Sequence, residues 1–202
     1  LRECVEQIFT KRSTMMLLWQ EQAENFYPER ADFTYRRQPG TDFAANLMTS
    51  YPVLCRRGLG NNFGSMLRPT AKPWFHTGIR HSQIKDNETR QYLQAFEETQ
   101  RRAMYDPSSK FTRATKEGDH DFAAFGQCAI STELNKLANG LLYRCWHLRD
   151  MAWQENEEGD IGARFRKWKP TAQTLVRIFG KDKLHHDIVN DSEKKPFTEH
   201  EV

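Results

Sequence analysis

The stretch RFRKWKPTAQTLVRIFG, residues 164–180, decides the fold class, because two different periodicities meet inside it. Its first half alternates. In an extended chain Arg164, Arg166 and Trp168 fall on one face and Phe165, Lys167 and Lys169 on the other. Pro170 ends the alternation and Thr171 supplies a helix cap. Leu175, Val176, Ile178 and Phe179 then recur at helical spacing, and Gly180 closes the helix. A strand thus runs directly into a short packing helix. Each of those four apolar side chains is expected to bury surface worth about 1.5–3 kcal/mol.

Upstream, FGQCAISTEL (125–134), LLYRCWHLRDMAWQ (141–154) and ARFRKWKP (163–170) read as three strand-like runs. NKLANG (135–140) and ENEEGDIG (155–162) connect them, with Gly140 and Gly159 expected at positive φ. A strand meander or a broken hairpin is the economical arrangement, with the strand at 164–169 neighbouring the run at 141–154. That neighbour carries Tyr143, Cys145 and His147 on one face and Arg144, Trp146 and Leu148 on the other.

The N-terminal half is helical. Val5, Ile8, Phe9, Met15, Met16, Trp19 and Ala23 predict one helix over 2–24, stopped before Pro28. The Pro39-Gly40 pair marks a turn. Thr41 or Asp42 is expected to cap a helix reaching about Arg57, kinked or ended by Pro52. Gly58, Gly60 and Gly64 are expected to break up the next stretch. The clearest helix covers 86–105 behind an Asp86 or Asn87 cap, and a shorter one covers 112–124. The class is therefore α+β, with N-terminal helices, a small antiparallel sheet and a packing helix. Trp19, Trp74, Phe75, Phe96, Phe125, Trp146 and Phe179 are the candidate core. Residues 1–180 are expected as one region, and the polar residues 181–202 as a linker or the start of a following segment.

Composition narrows the function classes. The 202 residues carry 30 basic and 27 acidic side chains, a net charge of +3, which is weaker than a dedicated nucleic-acid module usually shows. Aromatic residues make up 12%, enough for a packed core. No apolar run has the length of a membrane span, and no membrane partner is expected. The chain starts at Leu1 and ends in a charged stretch, so it is expected to be a fragment of a longer reading frame. Cys4, Cys55, Cys128 and Cys145 have no zinc-site spacing, and Cys128 and Cys145 are expected as small buried hydrophobes in a reducing compartment.

Two motifs offer chemistry. GDHDF, residues 118–122, puts Asp119, His120 and Asp121 together, but neighbours on a helix point about 100° apart and do not converge on one ion or substrate. The bland reading is a helix N-terminal turn with acids near the positive dipole end. A metal-dependent hydrolase built on Asp119, His120 and His147 would need the fold to bring distant groups in. GLGNNFG, residues 58–64, lacks the Gly-Lys-Ser/Thr of a phosphate loop, so its glycines are expected to permit a turn or close helix approach. No catalytic, cofactor or metal residue is assigned, and no cofactor is expected. A second class of reading is a nucleic-acid-binding regulator using the basic and aromatic strands around Trp146 and Trp168.

The order of motifs along the chain carries a resemblance. LLWQEQAENFYPERADF (17–33) gives a tryptophan-bearing helix and a proline turn. GLGNNFGSMLRPTAKPWFHTGI (58–79) gives small residues, a proline and Trp-Phe. YLQAFEETQRRAMYDPSSKFTRATKEGDHDFAAFGQC (92–128) gives two helices and Phe-Gly. Residues 143–180 give the strands and the helix after Thr171. In that order they resemble the bacteriophage head-to-tail connecting, or portal, proteins of podovirus-like phages. The resemblance implies a wing-like α+β region, with the stem helices and clip later in sequence. It implies a non-enzymatic virion protein assembled in the host cytoplasm, a homo-oligomeric ring of about twelve copies at one capsid vertex. Its implied partners are terminase, scaffold, capsid and tail adaptor proteins, with double-stranded DNA passing through the channel for packaging and ejection. A cyclic ring needs two different faces per subunit, and Glu97, Glu98, Arg101 and Arg102 are candidate contacts.

Overall fold

A computed structural model describes residues 2–38, 40–44, 47–69, 72–79 and 86–202. The chain divides into two compact units, one of residues 11–149 and one of residues 1–10 with 150–202.

In the larger unit, α2 (Ser13–Phe26) runs into a 3-10 turn at Pro28–Arg30, followed by α3 (Tyr51–Leu67), α4 (Asn87–Tyr105), a 3-10 turn at Pro107–Ser109 and α5 (Phe111–Phe125). A hairpin of β1 (Ala129–Leu134) and β2 (Leu141–Trp146) completes it. α5 is the hub, packing on α2, α3, α4, β1 and β2. The core beside it is aromatic. Trp19, Phe33 and Phe125 form a triangle with centroid separations of 5.6, 6.3 and 5.1 Å, and His147 caps Phe33 at 4.8 Å. Gln20 is buried with them. Its Oε1 accepts from the Phe33 amide at 2.8 Å and its Nε2 donates to the Ala31 carbonyl, fixing the segment after α2. A second cluster forms where Phe111 meets Tyr105, Tyr143 and Trp74, and Trp74 Nε1 donates to the Tyr105 hydroxyl at 2.9 Å.

The smaller unit holds nine-tenths of α1 (Arg2–Lys11), a second hairpin of β3 (Met151–Glu155) and β4 (Ile161–Arg166), α6 (Ala172–Phe179) and α7 (His186–Lys194). Thr171 caps α6 by accepting from the Thr174 amide at 3.3 Å, and Gly180 at φ 81° ends it, as its sequence dictates. Residues 181–202 are not extended away. α7 packs on α6, and the last residues return antiparallel to 168–172, Trp168 and Val202 exchanging two backbone hydrogen bonds of 3.0 Å. Ala152, Ala172 and Leu175 are the buried apolar centre of this unit.

The α+β class holds, and several expectations change within it. The single helix over 2–24 is two helices, because Arg12 leaves the helical basin at φ −88°, ψ 1°. Residues 41–44 are not helical; the helix begins only at Tyr51, with Pro52 in its first turn, where a missing amide hydrogen costs nothing. Pro39, half of the expected turn, lies outside the described residues, while Gly40 stands at φ 84°. Of the meander and the broken arrangement, the strands follow the broken one, as two separate two-stranded sheets. The run 141–154 is cut by a 3-10 turn at Leu148–Asp150, so β4 pairs with β3 and not with β2. In the first hairpin the positive φ belongs to Ala138 at 55° and not to Gly140, whereas Gly159 takes 82° as expected. Cys128 is exposed and Cys145 half-buried, against the expectation that both are core, and all four thiols are free.

Of the candidate core, Trp19 and Phe125 are buried, Trp74, Phe75 and Trp146 are half-buried, and Phe96 and Phe179 are 49% and 44% exposed. Within α6, Ala172 and Leu175 are enclosed, while Ile178 and Phe179 at its C-terminal end stand exposed. Leu175→Ala should therefore lower unfolding stability by about 2–5 kcal/mol, while Phe179→Ala should cost less than about 1 kcal/mol. Denaturant melts of the two variants, followed by far-ultraviolet circular dichroism, check the contrast.

Candidate functional site

GDHDF lies in the second half of α5, not in an N-terminal turn. Three consecutive side chains there leave the helix in three directions, and each holds a different element. Asp121 is 1% exposed and takes a two-pronged contact from Arg30, Nε to Oδ1 and Nη2 to Oδ2, both 3.1 Å. Cys145 of β2 approaches the same carboxylate at 3.6 Å. Asp119 pairs with Arg68, the residue that ends α3. His120 packs edge-on to Tyr27 at 6.5 Å and lies over Gly60. The side chains that looked like scattered catalytic candidates are thus a clamp on the 28–30 turn, β2 and α3.

The glycines of α3 complete the clamp. A Cβ on Gly60 would overlap the His120 ring, and one on Gly64 would come within 3.2 Å of Asp119 Oδ2. Both glycines therefore sit inside the helix to let α3 and α5 approach closely. A cleft of about 450 Å³ remains beside them, lined by Gly60, Gly64, Arg68, Thr115, Lys116 and Asp119.

The electrostatics are those of anchoring groups. Burial pushes the Asp121 carboxyl up, and the Arg30 charge beside it pulls it back. Burial, then the Asp121 charge, pushes the Cys145 thiol up to about 12, which leaves it protonated and inert as a nucleophile. Burial and the Arg56 and Lys116 charges push His120 down, so it packs as a neutral ring. Asp32 makes a second clamp, 2.7 Å from His147 Nε2 and paired with Arg149. Burial raises its carboxyl, but the close contact with His147 and the Arg149 charge outweigh that and hold it below its ordinary value. His120 and His147 are therefore committed to different clamps, and they do not converge with Asp119. Among the described residues no group of three or more His, Cys, Asp or Glu side chains is placed to hold a metal ion, and no helix is long and apolar enough to cross a membrane.

The basic and aromatic strands are also occupied internally. Trp146 Nε1 donates to the Ser131 hydroxyl at 2.9 Å, and Arg144 lies over its ring at 5.6 Å. Arg166 covers Trp168 at 4.8 Å, and Lys167 lies over Phe9 at 4.6 Å. The two tryptophans belong to different units. On α4, Glu98 accepts from Arg101 at 2.7 Å and from Arg102 at 3.0 Å. Glu97 instead receives the Thr77 amide and His76, pinning the segment after Trp74 and Phe75. The clamp residues of α5 were not singled out for this role. Their one sequence signal was the order of acids and histidine on a helix whose partners are far away in the chain.

A family model for the bacteriophage head to tail connecting protein matches residues 1–202, the whole chain. The chain belongs to that family. The comparison with curated proteins finds no match. The connector family is structural rather than enzymatic, which agrees with polar groups spent on holding helices together. It makes the chain a virion component that assembles with the capsid and tail parts of a phage.

Two results are expected of this connector. Gly60→Ala, normally favourable in a helix, should instead cost about 1–3 kcal/mol because the added methyl meets the His120 ring. Equilibrium unfolding of the variant checks the sign. A depressed folded carboxyl contributes stability above its unfolded value and loses it as pH falls through the lower folded value. The connector should therefore lose stability on acidification below about pH 4, and Asp32→Asn should be less stable at neutral pH with a shallower acid loss. Unfolding curves across that pH range measure both.

Proposed function

We propose that this connector is a subunit of a closed homo-oligomeric ring, about twelve copies by family resemblance, set at one vertex of the capsid. Residues 1–180 form the outer, wing-like part of each subunit. Double-stranded DNA passes through the ring during packaging and ejection, and the terminase motor, scaffold, capsid and tail adaptor dock on it. The ring is a passive gasket and docking hub. A chain of net charge +3 suits a conduit, since a strongly basic lining would hold phosphates and slow their passage.

One observation carries the oligomeric reading: apolar side chains stand exposed along the outer faces of α2 and α3. Leu17 is 63% exposed, Leu54 59% and Met66 79%. Soluble monomers rarely leave such rows open, whereas subunits of an assembly bury them. The α4 charges Glu97, Glu98, Arg101 and Arg102 would lie at the rim of those contacts, where exposed pairs set register more than affinity.

Electron micrographs and light scattering of the purified protein test this. Closed rings with a central hole are the expected result. A particle that stays monomeric at every concentration would count against the ring.

A further inference from the structure

Gly58 is the glycine of α3 that the fold does not explain. Gly60 and Gly64 face α5, but among the described residues nothing lies within 4 Å of a Cβ built on Gly58. A glycine inside a helix is destabilising relative to alanine, so its presence there calls for a partner. It sits at the middle of the solvent face of α3. Tyr51, Leu54, Cys55, Asn62 and Met66 surround it at helical spacing, all exposed. The face sets the apolar Tyr51, Leu54 and Met66 beside the polar Asn61, Asn62 and Ser65. With no side chain at its centre, this face is a shallow hole bounded by Leu54 and Met66.

The same unit also presents a matching knob. The solvent face of α2 carries Leu17 and Leu18, both exposed, followed by Glu21, Glu24 and Asn25. The exposed face of α2 thus brings two acids and no base, whereas that of α3 brings Arg57 and no acid, since Arg56 is buried over Tyr27. Arg57 at the edge of the α3 face gives one hydrogen bond to Glu29 at 2.9 Å, and a guanidinium has further donors to offer. An acidic helix face bearing two leucines and a helix face with an edge arginine and a central hole are complementary in shape and in charge.

We infer that α2 of one copy of this chain docks on the Gly58 face of α3 in a second copy, Leu17 and Leu18 entering the hole and Glu21 meeting Arg57. Two different faces joined head to tail propagate around an axis, which is what a closed ring requires and a two-fold dimer does not. Gly58 lets the two helix axes come close, as small residues do at crossing points. The inference rests on the ring reading above and names the surface that forms it.

Cys55 makes the contact testable, because it is an exposed thiol on this face. In a chain with Cys4→Ser and Cys128→Ser, adding Glu21→Cys places one thiol on each face, while the inert Cys145 thiol remains. A short bis-maleimide should then give a ladder of cross-linked species extending past the dimer, and the same chain without Glu21→Cys should not. Gly58→Leu gives the second reading. It should leave the melting temperature of the subunit unchanged or raised, yet weaken association at least about tenfold. A ladder that stops at dimers overturns the head-to-tail contact. Wild-type rings with no cross-link, and rings unaffected by Gly58→Leu, overturn this face while leaving the ring standing. A wild-type chain that never associates removes both.

Discussion

The Asp121 carboxylate and the Arg30 guanidinium meet across 91 residues of sequence, deep enough that the acid is 1% exposed. Burying a charge is costly unless it is paired and hydrogen-bonded, and removing one partner strands the other. The pair therefore ties the turn after α2 to the middle of α5 in one geometry, since the guanidinium fork fits the carboxylate along only one approach. Once α5 is fixed there, its two preceding polar residues fall into register with α3. Asp119 reaches Arg68 and His120 covers Gly60. β2 is positioned by Cys145 on the same carboxylate and by Phe111 against Tyr143 at 5.0 Å.

This arrangement separates an inner and an outer role for each helix. The inner faces of α2 and α3 are spent on α5 and on the aromatic triangle of Trp19, Phe33 and Phe125. Their outer faces hold Leu17, Leu18, Leu54 and Met66 with no use inside the subunit that the fold reveals among the described residues. The same helices therefore carry polar clamps on their inner side and exposed apolar side chains on their outer side.

Elements whose signals are local were legible in the sequence. α4 begins where Asp86 accepts from the Thr89 amide at 3.0 Å, and α6 lies between Thr171 and Gly180. The cap and the spacing of apolar residues sufficed there. α3 was legible only in part: its glycines read both as breakers and as points of close helix approach, and Gly60 and Gly64 against α5 bear out the second, while the start at Tyr51 and the run through to Leu67 were not marked, since propensity is a weak prior that tertiary packing overrides. The cut in the run 141–154 was hidden for a similar reason. Leu148 is enclosed, and His147 and Arg149 both turn toward Asp32, a residue more than a hundred positions away, so no period in the strand records it. The GDHDF clamp was half legible: the divergence of neighbours on a helix ruled out a converging site, but not what each side chain would hold. Phe96 and Phe179 looked like core because they are large and apolar, and a sequence does not say which large apolar residues the fold leaves at its surface.

The most direct test of the central pair is a double-mutant cycle on Arg30→Met, Asp121→Asn and their combination, read by equilibrium unfolding. Each single change should cost about 3–5 kcal/mol, and the double should recover about 1–3 kcal/mol of their sum because the pair is lost only once. Additive losses, or single losses below about 1 kcal/mol, would show that the fold does not depend on this contact.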